Sequence, residues 1–308
     1  MDNNARIYWM QAITPLHVGS GKGVGFIDMP IMREKVTNWP LVPGSALKGV
    51  MRDYFDNQRD EKKISPELFN AAFGIASVES NNDDTSNAGS LILTDAHIVC
   101  LPVRSLYGTF AYATCPLVLE RLKRDLAAAS YGKFPSVPRP RNNEAILQRN
   151  SCLVSEDKKI YFEDLDFDAK EDNEEKNWAD LLGRILFQGD QTWKNLFVER
   201  FAIVSDDCFN FLTETGTEVS AHIRIDDEKK IVAKGALWYE EALPTEAIMS
   251  GIVWCDRVFG KIKAENKKIE KKDILDTFCP STGLDLQIGG KATVGKGRVR
   301  CQFTKGGA

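Results

Sequence analysis

The chain has 308 residues, of which 43% are hydrophobic and 27% are charged, and its formal net charge is −4. This composition is typical of a soluble globular protein, and no apolar run is long enough to span a membrane. The first residues, MDNNARIYW, lack the basic and apolar regions of a signal peptide, so we expect a cytoplasmic protein.

Hydrophobic patterning predicts both strands and helices along the chain. Strands are predicted at 5–13, 27–32, 89–101, 196–204 and 249–258, a hairpin at 219–240, and helices at 46–55, 117–129, from 177 onward and at 271–279. This irregular alternation contains no clean series of parallel βαβ units. It therefore favours an α+β fold with a mainly antiparallel sheet, and a ferredoxin-like βαββαβ core is our first choice.

Three irregular segments predict insertions into a single domain that spans residues 1–308. Residues 79–90 are polar and predict a mobile loop, whereas residues 131–145 are rich in proline and basic side chains. The third, 155–178, is acidic, and its part from 163 to 176 predicts a solvated loop.

The net charge conceals an uneven distribution. Between Glu156 and Asp180 there are eleven acidic and four basic residues, so the remainder of the chain has a net charge of +3. From Leu286 onward, five basic residues occur without an acidic one. The sequence thus predicts an acidic insertion and a basic face that suits nucleic acid.

The seven cysteines are scattered singly, with no CxxC pair. This pattern indicates reduced and mostly buried thiols in a cytosolic protein. His97 and Cys100 have the spacing of half a zinc site, but no second pair completes it, so we expect no structural zinc.

The segment TPLHVGSGKGVGFIDMPI (14–31) places four glycines within seven residues, between His17 and Asp28. It matches neither the P-loop nor the dinucleotide-binding motif. Its candidate phosphate-binding residues are Gly19, Gly21, Lys22 and Gly23. A lone carboxylate beside a phosphate strand is what a nuclease can use, which makes Asp28 a candidate catalytic residue. A flexible turn, with Asp28 bonded to backbone, remains the alternative.

Two further segments suit a phosphate backbone. The Pro-Gly-Ser turn at 43–45 opens a helix whose expected N-cap is Ser45 and which carries Lys48 and Arg52. IGGKATVGKGRVR (288–300) interleaves glycines with cations, and a glycine-kinked strand with a solvated basic edge is its alternative. Its candidate contacts are Gly289, Gly290, Lys291, Lys296 and Arg298.

The predicted hairpin ends in GALWYEEALP (235–244), which carries Trp238, Tyr239, Glu240 and Glu241. Aromatic side chains on a projecting hairpin can wedge between bases. They can equally fill space at the base of the hairpin, which we favour for Trp238.

Together these segments resemble the backbone subunits of type III-B CRISPR effector complexes, the fourth subunit of the Cmr complex, in the RAMP superfamily. The resemblance covers most of the chain, and four motifs occur in the order that the family has. It implies a modified ferredoxin-like (RRM-like) palm with a protruding hairpin thumb at about 219–243. It also implies that copies of the chain stack in a helical filament along a guide RNA, with other Cmr subunits, and cut complementary target RNA at regular intervals.

The resemblance also implies roles for individual residues. Asp28 occupies the place of an aspartate that supports metal-dependent cleavage with Mg²⁺ or Mn²⁺, and His17 matches a nearby histidine of the family. The helix with Lys48 and Arg52 corresponds to the element that grips the guide backbone. Residues 288–298 correspond to the superfamily's glycine-rich loop.

The expected chemistry is attack of an RNA 2′-OH on the adjacent phosphorus, which stacked A-form geometry does not align. Lys22 or His17 would stabilise the phosphorane charge, and Glu240 or Glu241 from a neighbouring thumb would add a second carboxylate. Two alternatives remain open: a binding scaffold that does not cut RNA, and a guide-processing endonuclease that uses a histidine and no metal.

Overall fold

A large mixed β-sheet organises the part of the chain that the computed structural model describes, which is residues 4–21, 23, 25–75, 87–172, 177–225, 232–259, 263–264 and 267–305. The strands are β1 (Ala5–Ala12), β2 (Leu41–Val42), β3 (Gly74–Ile75), β4 (Asn87–Ala88), β5 (Ile92–Leu93), β6 (Ala96–Arg104), β7 (Phe110–Thr114), β8 (Glu144–Gln148), β9 (Lys159–Phe162), β10 (Leu165–Asp172), β11 (Phe201–Ile203), β12 (Glu218–Ile225), β13 (Val232–Ala242), β14 (Ile248–Trp254), β15 (Lys263–Ala264), β16 (Lys267–Lys268), β17 (Leu284–Gln287) and β18 (Arg298–Lys305). The helices are α1 (Gly44–Asn57), α2 (Pro66–Phe73), α3 (Pro116–Ala128), α4 (Trp178–Leu186), α5 (Gln191–Arg200), α6 (Asp206–Thr215) and α7 (Lys271–Phe278).

The centre of the sheet is a ferredoxin-like core. Its four strands are antiparallel and lie in the order β18-β1-β14-β6, which is the 4-1-3-2 order of a βαββαβ unit. Helix α1 follows β1 and helix α7 follows β14, and both pack into one hydrophobic cluster, where the rings of Phe55 and Phe278 are 5.0 Å apart. The predicted fold class is therefore confirmed.

Strand β1 is buried on both faces, which explains the apolar run of residues 7–10 at its centre. Tyr8 and Met10 face the cluster under α1 and α7, whereas Ile7 and Trp9 face a second cluster formed with α3, α4 and α5. Beyond β6 the sheet continues through β7, β11, β8, β10 and β9, with parallel and antiparallel pairs mixed. Hairpin β12–β13 forms a separate two-stranded sheet.

Two sequence predictions for the acidic insertion and the segment after it are wrong. Residues 165–172 are strand β10 rather than a solvated loop, because Leu165, Phe167 and Ala169 alternate with charged residues and place one apolar face on the core. In the predicted strand 196–204, only β11 is extended, because Asp190 accepts a hydrogen bond from the backbone of Trp193 and starts helix α5.

The predicted strand 27–32 is also wrong. Residues 18–21, 23 and 25–32 instead belong to an arm that is closed by isolated bridges, with Gly19 opposite Ile31 and with the amide of Met32 donating to the carbonyl of Val18 at 2.8 Å. Most of the predicted loop 79–90 lies outside the described residues. Residues 131–143 are irregular up to the start of β8, as predicted.

The seven cysteines are free thiols, and five of them are buried, which confirms the expectation for this residue type. In the described part of the chain, no helix is long and apolar enough to cross a membrane.

A buried arginine ties the first strand to helix α7. The guanidinium of Arg6, which is 4% exposed, donates to the carbonyls of Leu275 and Cys279 and pairs with Asp276. The Leu275 carbonyl also accepts from the amide of Cys279 at 3.0 Å, whereas the Cys279 carbonyl lies just beyond the end of α7, where the helix offers no backbone donor of its own. The positive charge also opposes the negative end of the helix dipole.

We expect Arg6→Met to lower the free energy of unfolding by about 2 kcal/mol, because it removes the guanidinium donor from the Cys279 carbonyl and breaks the pair with Asp276. Thermal unfolding followed by circular dichroism measures the change. Arg104→Met, at the exposed end of β6, is the matched control and should change stability little. Equal melting temperatures for the two variants would contradict this role of Arg6.

Candidate nucleic-acid interface

Three segments that are distant in sequence meet at the root of hairpin β12–β13. They are the N-terminal glycine loop (residues 19–21, 23 and 25–28), the end of β13, and the C-terminal glycine loop (residues 288–298). Leu16 and Leu243 exchange two backbone hydrogen bonds of 2.9 Å, and the amide of Gly290 donates to the carbonyl of His17 at 2.9 Å. The structure thus brings together the two glycine clusters and the WYEE motif.

Asp28 lies exposed at the root of the hairpin. One carboxylate oxygen, Oδ2, accepts a hydrogen bond from the backbone amide of Tyr239 at 2.8 Å, and the amide of Met29 donates to the carbonyl of Tyr239 at 3.1 Å. The other oxygen has no hydrogen-bond partner among the described residues. The carboxylate is therefore oriented by β13 while it keeps an oxygen for a ligand.

His17 is 7% exposed and fastens the arm to β13. Its Nδ1 lies 2.6 Å from the carbonyl oxygen of Glu241, which can only accept, so Nδ1 carries the proton in the neutral ring. A Cβ at Gly289, where φ is +80°, would lie 2.2 Å from the His17 carbonyl oxygen. Only glycine allows the C-terminal loop to approach His17 this closely.

Glu240 is 1% exposed and holds the two lysines of the C-terminal glycine loop. The Nζ atom of Lys296 is 2.8 Å from Oε1, and that of Lys291 is 3.0 Å from Oε2. Burial by itself would raise the pKa of the Glu240 carboxyl, but the two ammonium groups outweigh it and hold the pKa below its usual value. We call this cluster of Glu240, Lys291 and Lys296 the lysine clamp.

Two aromatic rings flank the lysine clamp on the same face of the hairpin. His222 and Trp238 are cross-strand partners and stack at 5.7 Å, and the Lys291 ammonium lies 5.9 Å from the centre of the Trp238 ring. Trp238 is half-buried here, at the base of the hairpin. The role of His222 was not predicted, although its register opposite Trp238 follows from the hairpin alternation.

Glu241 is 2% exposed, and its side chain is occupied within the chain. Its carboxylate accepts hydrogen bonds from Arg33 at 2.5 Å, from the Thr217 hydroxyl at 2.9 Å and from the amide of Ile31 at 3.0 Å. These contacts make Glu241 an anchor for the arm. Tyr239, half-buried, contributes its backbone to Asp28 and its ring to an edge-on contact with Phe26.

The remaining predicted contacts lie apart from this cluster or are exposed. Ser45 is exposed in the first turn of α1, and the prediction that it caps the helix is wrong because Asp95 accepts from the amide of Gly44 at 2.9 Å. The amine of Lys48 donates to the carbonyl of Leu91 at 2.6 Å, and burial lowers its pKa.

Arg52 is partly exposed on α1, whereas Arg298 is exposed at the start of β18. Gly21 adopts a φ of +77° and Gly23 packs against the backbone of Ile27. Lys22 lies outside the described residues.

A divalent cation fits this site only if the bound RNA supplies some of the oxygen atoms that coordinate it. Among the described residues, no three histidine, cysteine or acidic side chains converge on a point that could hold a metal. Glu240 and Glu241 are committed to partners within the chain, which leaves Asp28. One carboxylate together with RNA phosphate oxygens is a common way to hold Mg²⁺, so the site suits an ion bound jointly with RNA and not a cage made by the protein alone.

Comparison with known proteins agrees with this geometry. Residues 9–300 match the model of the RAMP superfamily. Over 300 residues, 96% of this chain and 94% of its relative, the chain is 34% identical to a Pyrococcus furiosus protein named CRISPR system Cmr endoribonuclease Cmr4. The chain belongs to the Cmr4 family of the RAMP superfamily.

Other Cmr4 proteins support this assignment. A Saccharolobus solfataricus protein named CRISPR system CMR subunit Cmr4 is 25% identical over 96% of this chain and 95% of its own length. The crystal structure of oligomeric Cmr4 from Pyrococcus furiosus superposes with a TM-score of 0.72 and 28% identity, covering 98% of this chain and 99% of that one. The similarity to these Cmr4 relatives therefore covers at least 95% of each chain.

Proposed function

We propose that this chain is the backbone endoribonuclease of a type III-B CRISPR effector. In this proposal, copies of the chain bind a guide RNA as a cytoplasmic filament, together with other Cmr subunits, and cut complementary target RNA at regular intervals. The observation that carries the proposal is the Asp28 carboxylate, exposed at the end of the N-terminal glycine loop and oriented by the backbone of β13. The name of the 34% identical relative, a Cmr endoribonuclease, supports it.

The first contribution of the chain to cleavage is orientation. A 2′-OH attacks the adjacent phosphorus only when the nucleophile and the leaving oxygen are in line, and stacked A-form RNA does not reach that alignment. Hairpin β12–β13 stands apart from the main sheet and can hold a nucleotide out of the stack. Because the Asp28 carboxylate accepts a hydrogen bond from β13, the hairpin that opens the RNA also orients this carboxylate.

The second contribution is the placement of charge. Asp28 would hold Mg²⁺ or Mn²⁺ jointly with phosphate oxygens, and such an ion stabilises negative charge that develops at phosphorus. His17 keeps the N-terminal glycine loop on β13 through its bond to the Glu241 carbonyl, so we assign it a positioning role. In this scheme the lysine clamp contributes fewer phosphate contacts than the sequence predicts, because Glu240 already neutralises part of its charge.

The proposed function is tested by assembling the chain with guide RNA and the other Cmr subunits. We expect cuts at regular intervals in a complementary target, none in a mismatched RNA, and poor cleavage by the isolated chain, because guide and neighbouring copies complete the site. A complex that binds the complementary RNA without cutting it would identify a scaffold instead. Guide-independent cutting by the isolated chain would also contradict the proposal.

The chemistry of the cut gives a separate prediction. In-line attack by the 2′-OH leaves a 2′,3′-cyclic phosphate or its hydrolysis product, which end-group analysis of the fragments detects. We expect EDTA to abolish cleavage and Mg²⁺ or Mn²⁺ to restore it. A 3′-hydroxyl product would contradict the 2′-OH mechanism, and EDTA-resistant cutting would favour the metal-independent alternative.

A further inference from the structure

Phe26 is a large aromatic side chain held in solvent beside the candidate catalytic carboxylate. It is 73% exposed and lies in the N-terminal glycine loop, next to Gly25, whose φ is +60°. Its ring contacts Tyr239 edge-on, with centroids 6.1 Å apart and planes at 84°. The ring is therefore held in solvent, and among the described residues the ring of Tyr239 is the one that supports it.

Phe26 continues an apolar surface along one face of the hairpin. Ile223 and Leu237 are cross-strand partners and are 51% and 55% exposed, and Tyr239 follows Leu237 on the same face by the two-residue strand period. The lysine clamp belongs to the opposite face, which carries Glu240. One face of the hairpin is thus exposed and apolar where it reaches Asp28.

The short chain separation between Phe26 and Asp28 places this apolar surface next to the expected cleavage site. Phe26 precedes Asp28 by two residues, so their Cα atoms are at most about 7 Å apart. Stacked nucleotides follow one another at about 3.4 Å along the helix axis of B-DNA, so Phe26 and Asp28 lie within the span of neighbouring nucleotides. A phosphate placed at Asp28 therefore brings the base of an adjoining nucleotide within reach of the Phe26 ring.

We propose that Phe26, supported by Tyr239, stacks on the nucleobase next to the scissile phosphate and holds that nucleotide in the splayed conformation. This inference rests on the proposed function and makes Phe26 a positioning residue for the target strand. Stacking uses the face that every base has, so the contact accepts any base and adds no sequence preference. The ligand is thus a nucleobase of single-stranded or locally opened RNA.

The test uses the assembled complex and single-turnover cleavage. We expect Phe26→Ala to cut about 10-fold or more slowly, and Phe26→Trp to cut near the wild-type rate, because a larger ring still stacks. Phe211→Ala, which removes an exposed phenylalanine from α6, is the matched control and should not change the rate. A wild-type rate for Phe26→Ala would overturn the proposal.

An abasic target separates stacking from a merely structural role. We expect loss of the base beside the scissile phosphate to slow the wild type by the same factor as Phe26→Ala, and the variant to lose nothing further on this target. An equal loss for Phe26→Ala on intact and abasic targets would overturn the proposal, as would a defect in assembly of the filament, which would assign this face to a neighbouring protein copy.

A fluorescent base measures stacking on Phe26 independently of cleavage. We place 2-aminopurine at the same position and expect its emission to be quenched in the wild-type complex and to rise in Phe26→Ala. A complex that binds RNA without cutting it would end the nuclease proposal, yet this measurement would still decide whether Phe26 stacks. Unchanged emission in the variant would overturn the stacking contact even if cleavage is normal.

Discussion

Replacing Asp28 with asparagine should lower target cleavage by at least about 100-fold while leaving target binding unchanged. The amide oxygen of asparagine can still accept the hydrogen bond from Tyr239, which the carboxylate accepts at 2.8 Å. The N-terminal glycine loop therefore keeps its position, and the change removes the negative charge alone. Single-turnover cleavage and filter binding of the assembled complex give the two readouts.

Asp60→Asn is the matched control for this experiment. Asp60 is an exposed aspartate in the turn after α1, and the same charge change there should leave the cleavage rate as in the wild type. Normal cutting by Asp28→Asn would remove Asp28 from the mechanism. Loss of binding together with cleavage would instead assign Asp28 to RNA docking.

Glu240→Gln should lower the free energy of unfolding by roughly 3 kcal/mol at neutral pH. The change leaves the partly buried ammonium groups of Lys291 and Lys296 without the carboxylate that they pair with at 3.0 and 2.8 Å, and removing one partner of a buried ion pair is strongly destabilising. It also releases the C-terminal glycine loop from the hairpin, so we expect slower cleavage as well. Thermal unfolding of the isolated chain measures the first effect.

The stabilisation that the Glu240 carboxylate contributes should decrease as the pH is lowered. Because the folded-state pKa of Glu240 lies below its unfolded value, the carboxylate contributes its full stabilisation above about pH 4.3. That contribution is lost as the pH falls through the lower, folded-state pKa. The melting temperatures of wild type and Glu240→Gln should therefore differ by a constant amount near neutrality and converge in acid.

Glu214→Gln, on the exposed surface of α6, serves as the control for the loss of one carboxylate. It should match the wild type at every pH, since surface substitutions away from buried partners change stability little. A difference between wild type and Glu240→Gln that stays constant down to about pH 3 would show that packing, and not the ion pairs, is responsible.

The sequence predicts the ferredoxin-like core because its signals are local. Strand β1 has an apolar run at residues 7–10, α1 and α3 have clear helical stripes, and the hairpin alternates on either side of a charged turn. The strand β10 was missed because charge outweighed its alternation of Leu165, Phe167 and Ala169. Acidic composition suggests solvent exposure, but it does not prevent one face of a strand from packing on the core.

The residues at the hairpin root could be chosen from the sequence, but their partners could not. That Lys291 and Lys296 would pair with Glu240 depends on a contact across about fifty residues, which no spacing rule predicts. The same holds for Asp95, which lies between β5 and β6 and takes over the capping role expected of Ser45. Motifs identify candidate groups, whereas tertiary contacts decide which of them remain free for a ligand.

The bond between Asp28 and the backbone of Tyr239 has a consequence for where an RNA would be cut. The carboxylate moves with the hairpin as one body, because Met29 and Glu241 are also joined by a backbone hydrogen bond of 3.0 Å. In the proposed filament, each protomer then fixes the position of its own cut, and the spacing between protomers sets the distance between cuts. Lengthening the RNA adds fragments of unchanged size, and altering its bases moves none of their ends.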